Sequence, residues 1–513
     1  MPNQWQTFPV EFKGGLISNL SPLQQGINAV GSATILQNFE PSKDGGYKKV
    51  LGYSKYLDDE ITGSGPILGV KVANPEKVIA VRKNGSSVSQ YWINVGVAWS
   101  SLASAASLGG KVRGVSFNFN GTHKILFVDG LNKLALFEDT TDTLSFLTTP
   151  SDVEGGSQVA IYKNHVFVAK ETVLSFSAPY DESDWTVANG AGTVNIGHSI
   201  TGLIVFRDQL IIFSRNKIQR LVGSSVSDFQ LVPIAEDIGC LYSDTIQEVG
   251  GDVLFMAADG LRLLGATERL GDFGLEVASA PITKDAQTFV NSSEIFSSIV
   301  LRGKAQYRVF SYISSVNTEN SQGLLTTKFS DQGASRMEWA TLKGFKAYCA
   351  DGRSVPGQEI TIIGGDDGYV YELETQSSRD GEVIEAIFQS PFMPITDPQK
   401  RKTLYKLALY TDTSGTFEID LNLYFDIFKN TNYNSTVKPN TITLQSSSAG
   451  VYFYGSTSAV YGSALYGAEL DKVYDTPLIG SGKTFSFRLE DSSTNPSFTL
   501  DTAIFEYREH DRQ

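Results

Sequence analysis

One hairpin design recurs along this chain and limits what it can fold into. An apolar strand enters a short polar turn and leaves as a second apolar strand. Val78-Ile79-Ala80-Val81 turns at Asn84-Gly85, and Ile125-Leu126-Phe127-Val128 turns at Asp129-Gly130 into Leu131-Asn132-Lys133-Leu134. Val166-Phe167-Val168 turns near Lys170-Glu171, and Leu210-Ile211-Ile212-Phe213 near Asn216. Val253-Leu254-Phe255-Met256 turns at Asp259-Gly260, and Ile360-Thr361-Ile362-Ile363 at Asp367-Gly368. Asn-Gly and Asp-Gly favour tight hairpins in which both central residues reach positive φ. The turns at 84, 129, 170, 216 and 259 lie 45, 41, 46 and 43 residues apart, and the 108 residues from 259 to 367 leave room for one more unit. Tyr307-Arg308-Val309-Phe310 with Gly323-Leu324-Leu325 would supply it. A hairpin unit of about 40–45 residues has the spacing of a β-propeller blade. Six or seven blades fit between residues 61 and 375, and a ring of them removes most exposed sheet edges.

The flanks have a different character. Residues 1–60 are rich in turns, with Gly14-Gly15-Leu16, Ser21-Pro22-Leu23 and Gly45-Gly46-Tyr47. Only Ser32 to Phe39 is continuous there, as a strand or a short helix. The aromatics Phe8, Phe12, Phe39, Tyr47, Tyr53 and Tyr56 call for burial, so this stretch is expected to be an extended arm packed on another domain. Residues 376–513 alternate instead of repeating. Phe417-Glu418-Ile419-Asp420-Leu421-Asn422-Leu423 has strict period two, and Leu407–Tyr410, Phe485–Leu489, Phe498–Leu500 and Ala503–Tyr507 also read as strands. Long loops separate them, which suggests a β-sandwich-like platform. The expected fold is therefore all-β throughout, with an arm (1–60), a propeller (61–375) and a sandwich-like domain (376–513).

Charge and composition exclude several functions. The chain has 513 residues and a net charge of -14, with a pI near 4.9. A protein that grips nucleic acid by its phosphates needs a basic face, and this one has none on average. No stretch of 18 or more apolar residues exists to span a membrane, and the start, Met1-Pro2-Asn3-Gln4-Trp5-Gln6, lacks the regions of a secretory signal. Cys240 and Cys349 are the only cysteines. They give no disulfide framework and no four-cysteine zinc site, and both are expected to act as small apolar residues. His123, His165, His198 and His510 stand singly, as surface or turn residues outside any metal-ligand spacing.

Catalytic motifs are missing. A sialidase-type propeller repeats Ser-x-Asp-x-Gly-x-x-Trp turns; here Ser330-Asp331-Gln332-Gly333 is the nearest approach, with Trp339 too far along. There is no Gly-x-Ser-x-Gly elbow and no His-Glu-x-x-His. Gly480-Ser481-Gly482-Lys483-Thr484 echoes a phosphate loop but lacks its upstream glycine. Asp366-Asp367 and Asp58-Asp59-Glu60 read as solvated turn acids, and no twelve-residue calcium loop occurs. No catalytic residue, metal ligand or cofactor is expected. Two features suit contacts between subunits. The basic run Lys400-Arg401-Lys402, followed by Lys406, could dock on acidic faces or guard a strand edge, as could Lys43, Lys48, Lys49 and Lys55. The Tyr/Gly/Ser-rich loop holding Tyr454, Tyr461 and Tyr466 has the composition of an adaptable contact surface or an ordered loop.

Several stretches, taken in order, resemble a known family. They are Gly14-Gly15-Leu16, then Ala33 to Asn38-Phe39-Glu40-Pro41-Ser42, then Gly45-Gly46-Tyr47 to Gly52-Tyr53. Gly239-Cys240 through Asp259-Gly260-Leu261 follows, then Gln306-Tyr307-Arg308-Val309-Phe310, then Gly364-Gly365-Asp366-Asp367-Gly368-Tyr369, and last Ile504-Phe505-Glu506-Tyr507 with Arg512. In this order the chain resembles the nozzle or tail-hub proteins of short-tailed bacteriophages, the tail tubular protein B-like and DNA-stabilisation proteins below the portal. It departs in one place, with Asp511 where the family usually has Gly. The resemblance implies a structural virion protein, made in the host cytoplasm, and not an enzyme. It implies a ring, usually of six copies, that meets a tail adaptor and tail fibres or spikes. Double-stranded DNA would pass through its channel without being held, because an acidic lumen repels phosphate over about 8 Å at physiological salt. The channel-lining residues are not identifiable from sequence. A carbohydrate-active or glycan-binding propeller (a glycosidase or adhesin) is the alternative from another class, and it requires convergent carboxylates and aromatics at the propeller axis. A baseplate-like scaffold without a channel is a third.

Overall fold

The recurring turn joins the second and third strands of antiparallel meanders repeated along the chain. The computed structural model describes residues 5–510 except 86, 266–276, 294, 332–333, 414–416, 427–436 and 445–472. The described chain is all-β, built of many small sheets with a few short helices. It divides into two compact units, one of residues 55–324 with 344–373, the other of 1–54, 325–343 and 374–513.

In the first unit, four sheets are four-stranded meanders. They are Ser64–Asn74, Lys77–Lys83, Ser89–Val95 and Ala98–Ser104; Arg113–Phe119, Thr122–Val128, Ala135–Glu138 and Thr143–Phe146; Gln158–Tyr162, His165–Lys170, Val173–Phe176 and Gly192–Asn195; and Ile200–Phe206, Gln209–Ser214, Lys217–Val222 and Gln230–Glu236. The fifth has three strands, Gln247–Val249, Asp252–Ala257 and Gly260–Leu263. The helix Thr283–Val290 contacts the last of these. The sixth starts with Ile295–Leu301 and Gln306–Tyr312, and the seventh with Cys349–Val355, Gln358–Gly364 and Val370–Leu373.

Alternation explains why the second strands read as unbroken apolar runs. Ile79 and Val81 pack with Ile125 and Phe127 in one core, while Leu126 and Val128 point the other way, against Val166 and Val168. Phe167 and Ala169 meet Leu210 and Ile212, and Ile211 and Phe213 meet Val253 and Phe255. Val78 and Ala80 pack with Ile360 and Ile362. Each second strand is thus buried on both faces, and each fully buried Val, Leu, Ile or Phe is worth about 1.5–3 kcal/mol.

The first strands touch in sequence. Ser64–Asn74 lies on Arg113–Phe119, which lies on Gln158–Tyr162, then Ile200–Phe206, then the turn Ser243–Thr245. Ile295–Leu301 follows that turn, then Cys349–Val355, which returns to Ser64–Asn74. Backbone bonds join the first and last of these sheets: Tyr56 N–H donates to Val370 O at 2.8 Å, Ile61 N–H to Gly368 O at 3.1 Å and Ile67 N–H to Gly365 O at 2.9 Å.

The turn chemistry differs from the expectation. At Asp129-Gly130 only Gly130 has positive φ, +80°. The turn is held by the Asp129 carboxylate, which accepts from Leu131 N–H at 3.0 Å and Asn132 N–H at 2.7 Å, as Asp does when it caps a loop. Two-residue turns with both central residues at positive φ join first to second strands instead: Asn120-Gly121, Lys163-Asn164, Arg207-Asp208 and Gly250-Gly251.

In the other unit, residues 1–54 fold together with 374–513. Gln6–Glu11 pairs antiparallel with Phe498–His510, from Gln6 opposite Tyr507 to Glu11 opposite Thr502. The latter strand sits between Tyr47–Lys49 and Arg401–Thr413, and Val473–Gly482 follows. A second sheet carries Ala334–Lys343, Ile35–Gln37, Ala386–Gln389, Phe485–Asp491, Phe417–Phe425 and Val437–Leu444 in that order. Residues 325–343 enter this unit because Ile35–Gln37 pairs with Ala334–Lys343 in parallel. Aromatic rings fill the space between the two sheets: Phe12 on Phe388 at 4.9 Å, Phe388 on Phe487 at 5.5 Å and Phe487 on Phe505 at 5.0 Å between centroids. Phe12, Phe39, Tyr47 and Tyr53 are buried. The stretch from Ser32 to Phe39 holds the strand Ile35–Gln37 and the start of the strand Phe39–Pro41, with a break at Asn38 (φ 53°). Ser21-Pro22-Leu23, read as a turn, opens the helix Pro22–Asn28, with a Ser21/Gln24 capping box and proline in its first turn.

Candidate functional site

The seven first strands line a polar, half-open cavity of about 190 Å³. Lys71 lies within the strand Ser64–Asn74, Lys111 just before and Arg113 at the start of Arg113–Phe119, Asp351 near the start of Cys349–Val355, and Asp244 in the turn Ser243–Thr245. Gln158, Ser243, Gln247, Ser297, Ser298 and Cys349 add further polar groups, and none of the described residues lining it is aromatic.

The charges are engaged with one another. Arg113 grips Asp244 with two parallel bonds, Nε to Oδ1 at 2.8 Å and Nη2 to Oδ2 at 2.7 Å, and donates from Nη1 to Ser157 O at 3.2 Å. Lys111 Nζ shares Asp244 Oδ2 at 3.2 Å and donates to Phe296 O at 2.7 Å. Lys71 Nζ meets Asp351 Oδ1 at 2.8 Å, while Val72 N–H donates to Oδ2 at 2.8 Å. Burial pushes the Asp244 carboxyl up, but Arg113 and Lys111 outweigh it and hold it well below the carboxylate range. Burial lowers Lys111 despite Asp244, with the Arg113 charge adding to the fall. Burial pushes the thiols of Cys349 and Cys240 up to about 12, so both are inert packing groups at neutral pH.

These ion pairs brace the strands that line the cavity against one another. A glycosidase needs one carboxyl kept protonated and a second free to act across the scissile bond. Asp244 is held by Arg113 and Lys111, and Asp351 by Lys71 and the Val72 N–H. Sequence reasoning did not find this cluster, because Arg113 and Asp244 stand 131 residues apart. The local signal was only an isolated cation or acid in or beside a strand or turn.

The residues singled out as inter-subunit contacts separate. Lys402 is 3% exposed; its ammonium donates to Pro394 O at 2.6 Å and also reaches Asp397 O and Lys483 O. It is therefore a structural plug and not a docking residue. Arg401 is exposed and bonds Ser481 through Nε at 3.0 Å, and Lys400 pairs with Glu509 at 3.2 Å. Lys49 is also buried, against Asp491, and leaves the other basic group. Tyr454, Tyr461 and Tyr466 lie outside the described residues. Asp59 accepts from Trp99 N–H at 2.9 Å, Glu60 pairs with Arg82 at 2.8 Å, and Asp366 pairs with Lys346, so these turn acids brace loops. Of the surface or turn placement expected for His165, only the turn holds: it follows Lys163-Asn164 directly but is buried, its Nδ1 donating to Ser177 O at 2.6 Å among Phe167, Phe176 and Phe229. Gly480 to Thr484 forms a strand end and turn, with no helix after it.

No protein-family model matches the chain, and no curated protein matches it in sequence. Among solved structures, the chain is similar to an exo-β-1,3-galactanase of Phanerochaete chrysosporium (TM-score 0.27, 10% identity, 89% of this chain and 100% of that one). It is also similar to Sqt1 of Saccharomyces cerevisiae (TM-score 0.39, 10% identity, 62% and 99%). A third is the extracellular domain of a protein described as a hybrid two-component system of B. thetaiotaomicron (TM-score 0.37, 11% identity, 63% and 43%). At these scores the likenesses carry no argument about function. No helix among the described residues is long and apolar enough to cross a membrane.

Proposed function

We propose that this chain is a structural component of a short phage tail, a nozzle subunit whose copies assemble in a ring around a DNA channel. In this reading the seven sheets of residues 55–324 and 344–373 form a seven-bladed β-propeller, and the facing sheets of the other unit form a sandwich-like platform. The observation that carries it is where the family-like residues fall. Gly15 (φ +65°) lies where a Cβ would come within 2.8 Å of Trp339 N, and its N–H donates to the Tyr47 hydroxyl at 2.9 Å. Gln306, Tyr307 and Arg308 are all buried. At Gly239 a Cβ would strike Ser214 O, and at Gly364 it would strike the Cys349 sulfur. The resemblance thus rests on residues that the framework cannot exchange, as expected of a building block. The engaged hub carboxylates fit a protein without turnover. The net charge of -14 suits a channel that DNA slides through.

Electron microscopy and a solution mass measurement of the purified chain test this reading. The expected particle is a ring of identical copies with an open bore. A chain that stays monomeric under all conditions while hydrolysing or capturing a glycan would replace it with the carbohydrate reading.

A further inference from the structure

The cavity at the hub carries more positive than negative charge, in a chain that is acidic overall. Facing it are the cations Lys71, Lys111 and Arg113 and the carboxylates Asp244 and Asp351. Lys71 and Asp351 cancel, and the second oxygen of Asp351 is taken by Val72 N–H. The surplus sits at the other corner, where Lys111 and Arg113 share the single carboxylate of Asp244.

Donors remain there after every protein bond is made. A guanidinium has five N–H groups and an ammonium three. Arg113 uses one each from Nε, Nη2 and Nη1 on Asp244 and Ser157. Lys111 uses two, on Asp244 and Phe296 O. Gln158 stands beside them, 9% exposed. Its Oε1 accepts from the Ser243 hydroxyl at 3.0 Å, and its amide nitrogen has no hydrogen-bond partner among the described residues. The space has room for on the order of ten waters or one small ion with its hydration.

We infer that this cavity binds one oxyanion of phosphate or sulfate size, between Lys111, Arg113 and the Gln158 amide. Surplus positive charge and unspent N–H groups select an anion with several acceptor oxygens. The same surplus repels a metal cation, and the lining offers no aromatic platform to an apolar ligand. The cavity is too small for a nucleic-acid strand, so the inference is independent of the phage reading. A free ion and a phosphate monoester share the required chemistry.

The experiment follows thermal unfolding at fixed ionic strength as chloride is replaced by inorganic phosphate, with calorimetry alongside. A small phosphate monoester forms a second arm and separates a free ion from an esterified one. The wild-type midpoint is expected to climb with the logarithm of phosphate concentration, as for any ligand that binds only the native state. Gln158→Glu keeps the shape and the bond from Ser243 but turns a carboxylate toward the anion; phosphate affinity is expected to fall about tenfold or more. Lys111→Met removes the surplus charge and is expected to do the same. The inference is overturned if wild type shows no heat of phosphate binding, if chloride and phosphate give equal midpoints, or if both variants respond as wild type does.

Discussion

Lys49 and Asp491 form an ion pair at 3.0 Å with neither side chain exposed at all. Lys49 also donates to Ser493 O at 2.8 Å. The pair ties the strand Tyr47–Lys49 of one sheet to Phe485–Asp491 of the facing sheet. Burial lowers the Lys49 ammonium, and the Asp491 charge opposes that shift. Removing one partner strands a charge inside, which costs about 3–5 kcal/mol. Lys49→Met and Asp491→Leu are each expected to lose about that much in denaturant unfolding, and the double variant to recover most of it. Additive losses would mean the two groups act separately.

Gly15 and Gly45 separate two reasons for a glycine. Both have positive φ, +65° and +103°, but Gly15 faces the Trp339 backbone and Gly45 faces open space. A left-handed conformation costs a non-glycine residue about 1–2 kcal/mol, and forced overpacking about 1–3 more. Gly15→Ala should therefore lose about 2–5 kcal/mol and Gly45→Ala only about 1–2. Equal losses in urea unfolding would rule out the close approach at Gly15.

The two glycines also show what was legible in the sequence. Features coded within a few residues were readable. The apolar run of a second strand and the polar turn after it can be seen in any window of ten. The helix Pro22–Asn28 carried its own signal, Ser21-Pro22 with Gln24 three residues on, and was passed over as a turn because it is only two turns long. The tight turns at Lys163-Asn164 and Arg207-Asp208 carried little signal. Lysine and arginine do not favour positive φ, and tertiary bonds hold them there: Lys163 on Asp208 at 2.5 Å, Arg207 on Gly251 O at 3.0 Å. The hub cluster was invisible for a related reason. Its members come from different sheets and are brought together by tertiary packing of those sheets. Lys402 looked exposed because its partners are backbone carbonyls, which no side-chain pattern reveals.

Asp244 makes acid stability depend on one carboxylate. Its unfolded value is 3.8 and its folded value lies well below, because Arg113 and Lys111 outweigh the effect of burial. A depressed carboxylate stabilises the fold above its unfolded value, and that contribution drains as pH falls through the folded one. Wild type is expected to lose stability steadily below pH 3.8. Asp244→Asn should cost about 3–5 kcal/mol at neutral pH by leaving two cations unpaired, and should flatten the acid limb. An acid limb of unchanged slope in the variant would assign acid sensitivity to other groups.

Alkaline stability rests on tyrosines. Burial pushes Tyr47, Tyr91 and Tyr307 well above their usual 10.0. The folded chain then holds protons that the unfolded chain releases, so their contribution is complete below pH 10.0 and is lost as pH climbs beyond it. Each adds a slope of about 1.4 kcal/mol per pH unit, about 4 for the three together. Phenolate absorbance from these residues should appear together with loss of the far-ultraviolet sheet signal. Early ionisation in an intact fold would show that these hydroxyls reach water.

Arg401 and Lys402 are neighbours with opposite expected roles in the proposed ring. Lys402 fills a pocket of carbonyls, so Lys402→Ala should cost about 1–3 kcal/mol per acceptor left dry, and copies that still fold should assemble normally. Arg401 is exposed and, among the described residues, bonded to Ser481 alone, so Arg401→Glu should leave the unfolding midpoint in place. If the basic edge docks on an acidic face of the next copy, the reversed charge should shift the mass distribution from ring to monomer, most clearly at low salt, where screening is weakest. A ring of unchanged mass and salt response in Arg401→Glu would remove this edge from the interface. Loss of the ring only in Lys402→Ala, together with loss of stability, would make the basic run a folding element alone.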